Sequence, residues 1–140
     1  MTTIITTTQA PDAKPVGLSV TLSESWDPII EVPSYSIPEL VFGGTNVTVP
    51  GVGEIITPLI IANRDIVTVD VSVRIYRASS NSVFYLANEI PIPSFDVLSF
   101  PMNGQFIYTG DILEMKATSN NSVDVTISYT VGQAEQDDVV

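Results

Sequence analysis

The sequence predicts an all-β protein: a single antiparallel β-sandwich or jelly-roll-like domain with an extended N-terminal arm. Three observations lead there. Apolar and polar residues alternate with period two in several short runs, most cleanly in residues 67–77 and 123–131. That pattern belongs to a strand with one face buried. Turn-forming clusters recur between these runs at short, regular intervals, and no window carries a helical period, so about eight or nine short strands are expected. The chain has 140 residues, which suits one domain able to bury a core without covalent staples.

Taken in order, residues 1–25 read as an arm. Thr and Ile open it and favour extended backbone, and Pro11, Pro15 and Gly17 then interrupt it. Leu18-Ser19-Val20-Thr21-Leu22 alternates and could be a strand, and the arm as a whole reads either as a frayed terminus or as a segment that adds as a strand to a neighbouring subunit. Residues 26–38 read as a Pro-rich connector, punctuated by Pro28, Pro33 and Pro38, each lacking an amide donor. Its apolar side chains, Trp26 foremost, are expected to pack on a sheet face. The sandwich proper is expected over residues 39–131, followed by an acidic tail over 132–140.

Within the domain, Gly43-Gly44-Thr45 is a hairpin signal between residues 40–42 and 46–49. Residues 55–62 are nearly all apolar, as in a strand buried on both faces, with Pro58 marking an edge, a bulge or a break. Val67, Val69, Val71, Val73 and Ile75 share one face of the next strand. A Ser/Asn loop at 78–82 leads to a returning strand over 83–89, and another follows at 96–100. Asn103-Gly104 is a type I′ hairpin signal. Finally, Ser119-Asn120-Asn121-Ser122 separates two strand runs, 111–118 and 123–131.

Composition narrows the chemistry. There is no Cys and no His, which removes thiolate chemistry, His-based triads and the commonest metal ligand. Sixteen Asp and Glu stand against five Lys and Arg, a formal charge of −11 that repels phosphate backbones, so no nucleic-acid partner is expected. No apolar run approaches the ~20 residues of a membrane helix, and the N-terminus lacks the form of a secretory signal, so no membrane partner is expected. A paired-carboxylate hydrolase would draw on Asp96, Asp111, Glu114 and Asp124, and a calcium site on Asp111, Asn120, Asn121 and Asp124. Neither set has a diagnostic spacing, and solvated strand faces explain both. No catalytic, cofactor or metal residue is assigned. Arg64, Arg74 and Arg77 form the one basic cluster and are expected to pair with nearby carboxylates. The residues expected to contact a partner are Ile4, Ile5, Leu18, Val20, Leu22 and Trp26.

One resemblance adds to this. The runs Tyr85-Leu86-Ala87-Asn88-Glu89-Ile90-Pro91-Ile92-Pro93, Asp96-Val97-Leu98, Gly110-Asp111-Ile112-Leu113-Glu114-Met115-Lys116-Ala117 and Asn121-Ser122-Val123-Asp124-Val125-Thr126-Ile127-Ser128-Tyr129 occur in that order. Together they resemble small structural proteins of tailed bacteriophages, over residues 67–131. The resemblance implies a non-enzymatic virion component assembled in the host cytoplasm. Its type would be a capsid decoration (cement) protein, or a neck or tail accessory. Implied partners are the major capsid protein or other virion proteins and further copies of the chain, with no cofactor. A host-surface or glycan-binding module is the alternative of another class.

Overall fold

The computed structural model describes residues 14–38 and 46–133. Twelve strands make up the described chain: β1 (Lys14–Thr21), β2 (Asp27–Glu31), β3 (Tyr35–Pro38), β4 (Asn46–Val49), β5 (Gly51–Ile55), β6 (Leu59–Asn63), β7 (Val69–Arg77), β8 (Ser82–Ile92), β9 (Val97–Phe100), β10 (Phe106–Tyr108), β11 (Ile112–Ala117) and β12 (Val123–Gln133). All their pairings are antiparallel.

β12 organises the first sheet. Along one side it pairs with the whole of β1, from Lys14 opposite Val131 to Thr21 opposite Asp124. Along the other it pairs with β6 at its start and β5 at its end. β5 and β6 therefore lie in one line, interrupted where Pro58 removes a donor. The Ile56 amide donates to the Ser128 carbonyl and the Ser128 amide to Thr57 Oγ1, so the ladder is patched across the break. β9 and β10 form the next line, on β6 and β5 respectively. The second sheet has the order β2-β11-β7-β8, and β3 and β4 form a separate hairpin.

These pairings nest. β7 pairs β8, the β5/β6 line pairs the β9/β10 line, β2 pairs β11 and β1 pairs β12. The chain is one long hairpin with the β7–β8 loop at its tip, rolled so that successive pairs fall alternately in the two sheets. Eight strand positions in two four-position sheets wound in this way are a jelly roll. Rolling closes the inner faces together because both are apolar. Ile55, Leu59, Ile61, Ile107, Val123 and Val125 of the first sheet meet Ile30, Val71, Val73, Ile75, Leu113 and Met115 of the second in one buried cluster. Each such side chain contributes about 1.5–3 kcal/mol on burial.

Several expectations are corrected. Residues 14–21 are a strand of the chain's own first sheet, not part of a free arm. Leu18 stands opposite Ile127 and Val20 opposite Val125, on the face that packs against the core, and Leu22 is fully buried. The connector likewise contributes β2 to the second sheet and β3 to the hairpin. The line over residues 55–62 is half-buried, because the outer face of the first sheet is open and leaves Ile56 and Ile60 exposed. Ser119-Asn120-Asn121-Ser122 joins β11 of one sheet to β12 of the other and is a corner between sheets, with Asn121 left-handed (φ 61°). At Asn103-Gly104 the turn closes from Gln105 N to Met102 O, and only Gly104 has positive φ (85°). That is the type II pattern rather than I′, and β9 and β10 are collinear neighbours, not hairpin partners. Residues 40–42, Gly43-Gly44-Thr45, Ile4, Ile5 and the acidic residues beyond Gln133 lie outside the described residues.

Candidate interaction surface

The ionisable side chains that could have carried chemistry are engaged inside the fold. Asp111 is 3% exposed at the β10–β11 turn. Its carboxylate accepts hydrogen bonds from the Arg77 guanidinium (2.8 Å) and from the amides of Ala78 and Tyr108 (2.9 Å each). Burial, the largest single influence, pushes its pKa up. The two amides and the guanidinium together outweigh it and hold the carboxyl below the ordinary value. Glu114 pairs with Arg74 at 2.7 Å on the outer face of the second sheet. Asp124 pairs with Arg64 at 2.7 Å and accepts from Thr21 Oγ1, and its pKa is lowered, by the Thr21 hydroxyl first. All three arginines thus pair with carboxylates, as expected of the basic cluster. Asp96 accepts the amide of its own neighbour Val97. Asn120 clasps Glu24 through two hydrogen bonds, at the opposite end of β11 from Asp111. Of the residues considered for calcium, Asp111 is therefore apart from the other three, and Arg64 lies between the Asn121 carbonyl and the Asp124 carboxylate, bonded to both. Among the described residues no group of three or more His, Cys, Asp or Glu is placed to hold a metal ion.

Trp26 is half-buried on the outer face of the second sheet, not in the core. Arg74 lies 3.9 Å and Lys116 4.9 Å from its ring centre, and Tyr85 meets it edge-on at 5.8 Å. The cause is register. Trp26 immediately precedes Asp27, which stands opposite Met115, and Arg74 stands opposite both Glu114 and Tyr85. The long cationic stems thus lie where an indole can cover them.

At the end of the sandwich where β6 leaves and β9 begins, four apolar side chains project into solvent: Ile66 (77% exposed), Phe95 (68%), Val97 and Val67. The loops that carry them are fixed from beneath. The side-chain amide of buried Asn63 donates to the carbonyls of Val67, Ile92 and Pro93, and its oxygen accepts the Asp65 amide. Ser94 Oγ donates to the Asp65 carbonyl, and Ser122 Oγ to the Asp65 carboxylate. The Ser122 hydroxyl is the chief reason that carboxyl titrates below its ordinary value. Phe95 itself has φ 58°. A bulky residue adopts that left-handed geometry only where surrounding bonds impose it, and such residues gather at functional positions. The result is a prong: apolar tips on a hydrogen-bonded base.

A second feature lies along the flank between the edge of the second sheet, β8, and the edge of the first, β9 and β10. It is an open groove of about 500 Å³, lined by Leu86, Phe100, Met102, Phe106, Tyr108 and Arg77 among others. Phe106 and Tyr108, two apart on β10, stack with their ring centres 6.5 Å apart. Neither bounding edge offers a plain ladder. β8 carries two register shifts, near Asn88-Glu89 and Leu86, and the amide of left-handed Glu89 is taken by buried Ser72. On β10 the Phe106 carbonyl is held by Arg77 and the Tyr108 amide by Asp111. Bulges and filled backbone groups of this kind protect an edge from indiscriminate strand addition.

Of the residues predicted to contact a partner, Leu18, Val20 and Leu22 face the core, Trp26 is on the surface, and Ile4 and Ile5 lie outside the described residues. Neither the prong nor the groove was read as a surface in the sequence, where Val67, Arg77 and Asn103-Gly104 were given a core face, an ion pair and a turn. The available signal was apolar residues in turn-rich stretches: Ile66-Val67 directly after Asn63-Arg64-Asp65, and Phe95 between Ser94 and Asp96.

Compared with known proteins, the chain matches no family model, no curated protein and no solved structure.

Proposed function

We propose that this chain is a non-enzymatic structural protein of a tailed-bacteriophage particle, most simply a capsid decoration protein that binds the shell and stabilises it. The observation that carries the proposal is the division of labour on the surface. Asp111, Glu114 and Asp124 are neutralised by Arg77, Arg74 and Arg64, while large apolar side chains stand exposed on a braced tip and along one flank. A domain whose candidate catalytic carboxylates are paired within the fold, and whose large apolar side chains stand outward, suits binding rather than bond-making. The sequence resemblance over residues 67–131 supplies the particle, and the jelly roll is an architecture shared by capsid and lectin domains. The arm of this proposal shortens to residues 1–13, with Ile4 and Ile5, because Lys14 already begins β1.

The test is incorporation. Deleting residues 1–13 removes none of the described strands, whereas deleting through Gly17 would also take half of β1. The shortened chain is expected to fold, with an unchanged β-type circular dichroism spectrum, and to be lost from purified particles. Normal incorporation of that chain would remove the arm from the proposal. A neck or tail position in the same particle is separated by copy number. For a glycan-binding module one aromatic pair to consider is Trp26 with Tyr85. Arg74 and Lys116 already occupy the indole ring, so a sugar would have to displace them. Saturable binding on a glycan array, abolished by Tyr85→Ala, would favour that module.

A further inference from the structure

β1 is an outer strand of the first sheet. It pairs with β12 along one side and with no described strand along the other. The Leu22 amide donates to the Val123 carbonyl, and bonded residues alternate along an antiparallel pair. Val16, Leu18 and Val20 therefore bond to β12, while Gly17, Ser19 and Thr21 turn their amides and carbonyls away from it. No described residue bonds to those outward groups. The open stretch is closed at both ends: Pro15 has no amide, and the Ser23 amide is taken by the Asp27 carboxylate at 2.8 Å. The other edges of the two sheets are guarded. β8 and β10 are protected as described above, β9 has only 4 residues, and β2 carries Pro28, a register shift and the charges of Asp27 and Glu31. β1 has 8 residues in unbroken register and no charge from Pro15 to Thr21.

An edge of this kind is recognised by another β-strand. We infer that it is recognised by β1 of a second copy, paired antiparallel about a twofold axis through Ser19. Ser19 lies midway between Gly17 and Thr21. When Ser19 faces Ser19 of the second copy, Gly17 faces Thr21 and Thr21 faces Gly17, and each facing pair exchanges both its backbone bonds. Every open amide and carbonyl is then matched, whereas sliding one strand by two residues leaves some unpaired. The side chains agree with this register. Val16, Leu18 and Val20 are only half-buried at the edge, and Leu18 comes beside Val20 of the second copy, so the apolar inner face continues across the axis. The outer face brings together Gly17, Ser19 and Thr21, without like charges in contact. Residues 1–9 fit the edge less well: Ile4 and Ile5 are adjacent between threonines, so an added strand would give each face a single isoleucine. The contact is isologous and closes at a dimer. Each copy carries a formal charge of −11, so salt, by screening repulsion between copies, strengthens the pairing.

The inference goes beyond the particle proposal and is tested on the purified full chain, so its failure is separate from a failure to enter particles. Sedimentation velocity over a concentration series, at roughly 0.05 M and about 0.5 M NaCl, should show a monomer–dimer equilibrium that shifts toward dimer with salt. Ser19 is exposed, so its replacement leaves the fold intact. Ser19→Lys and Ser19→Asp each put like charges opposite one another at the axis. Each should be monomeric where wild type is dimeric, and an equal mixture of the two should dimerise again. The chain has no Cys, so Ser19→Cys supplies a single thiol. Facing Cα atoms in a bonded antiparallel pair lie about 5.5 Å apart, within disulfide range. With oxidised glutathione this variant should give a covalent dimer on a non-reducing gel, and Ser80→Cys, on the exposed β7–β8 turn, should not. A wild-type chain that is monomeric throughout overturns the inference. So does a Ser19→Lys or Ser19→Asp chain that dimerises like wild type, or a mixture of the two that stays monomeric while wild type dimerises. Equal cross-linking of the two Cys variants, or none in Ser19→Cys, also overturns it, the latter because another segment then covers the edge.

Discussion

Replacing Asp111 by Ala strips three donors of one acceptor group at a single buried point. The amides of Ala78 and Tyr108 and the Arg77 guanidinium all point at that carboxylate within 2.9 Å. An amide left without an acceptor in a buried site costs about 1–3 kcal/mol. The guanidinium is partly rescued, since Arg77 keeps the Phe106 carbonyl and its side chain is 23% exposed. The three losses are not additive, because the turn can relax and admit water. Breaking a buried pair by removing one partner typically costs about 3–5 kcal/mol, and we expect Asp111→Ala to fall in that range. For a domain whose whole stability is about 5–15 kcal/mol, that is a large fraction. Urea denaturation followed by Trp26 fluorescence and by far-ultraviolet circular dichroism measures it, with the denaturant slope unchanged. Asp124→Ala is the internal control. Its pair with Arg64 is about half exposed on both sides, so its loss should cost about 0–1 kcal/mol. If Asp111→Ala costs no more than Asp124→Ala, the bonds drawn at the β10–β11 turn do not hold that turn, and the reasoning fails.

Other outcomes are expected. Asn63→Ala should destabilise by about 2–4 kcal/mol, since its buried amide serves the carbonyls of Val67, Ile92 and Pro93; hydrogen exchange in residues 64–68 and 93–96 should quicken most, and uniform quickening would contradict the brace. Gly110→Ala should cost about 1–3 kcal/mol, because Gly110 has φ 89° and a Cβ there would lie 2.8 Å from that of Ala78; a melting temperature unchanged from wild type would refute it. Asp65, Asp111 and Asp124 all titrate below the ordinary carboxyl value in the folded chain. The unfolded chain therefore binds more protons in acid, and their stabilisation is complete well above an unfolded pKa of about 3.9 and is lost as pH falls through the lower folded values. The melting temperature should accordingly fall below about pH 5, less steeply in Asp111→Asn; an acid limb of equal slope in that variant would exclude Asp111 as a contributor.

The period-two alternation of Val69, Val71, Val73 and Ile75, and of Val123, Val125 and Ile127, was legible in the sequence because it is local: each residue's face follows from its neighbours two positions away. Pairing is not local. Leu18 and Val20 have the composition of an arm or of a strand equally, and what decides between them is β12, more than a hundred residues later. The same distance hid the corner at Ser119-Asn120-Asn121-Ser122, since a turn between two strands reads alike whether the strands share a sheet or face each other. The ion pairs of the three arginines were foreseeable from charge balance alone. The prong was not, because the exposure of Ile66 and Phe95 depends on Asn63 reaching three carbonyls across two loops. Those bonds take Val67 out of β7 and leave it exposed, so the alternation fails to extend one residue pair further.

The central proposal is tested most directly by counting. Particles of a phage whose genome encodes this sequence, purified through a density gradient, can be quantified by mass spectrometry against the major capsid protein. A decoration protein on a symmetric shell should be present in hundreds of copies and in fixed ratio to the shell protein. A count of about a dozen or fewer would move the chain to the neck or tail. Its absence from purified particles would contradict a virion role altogether.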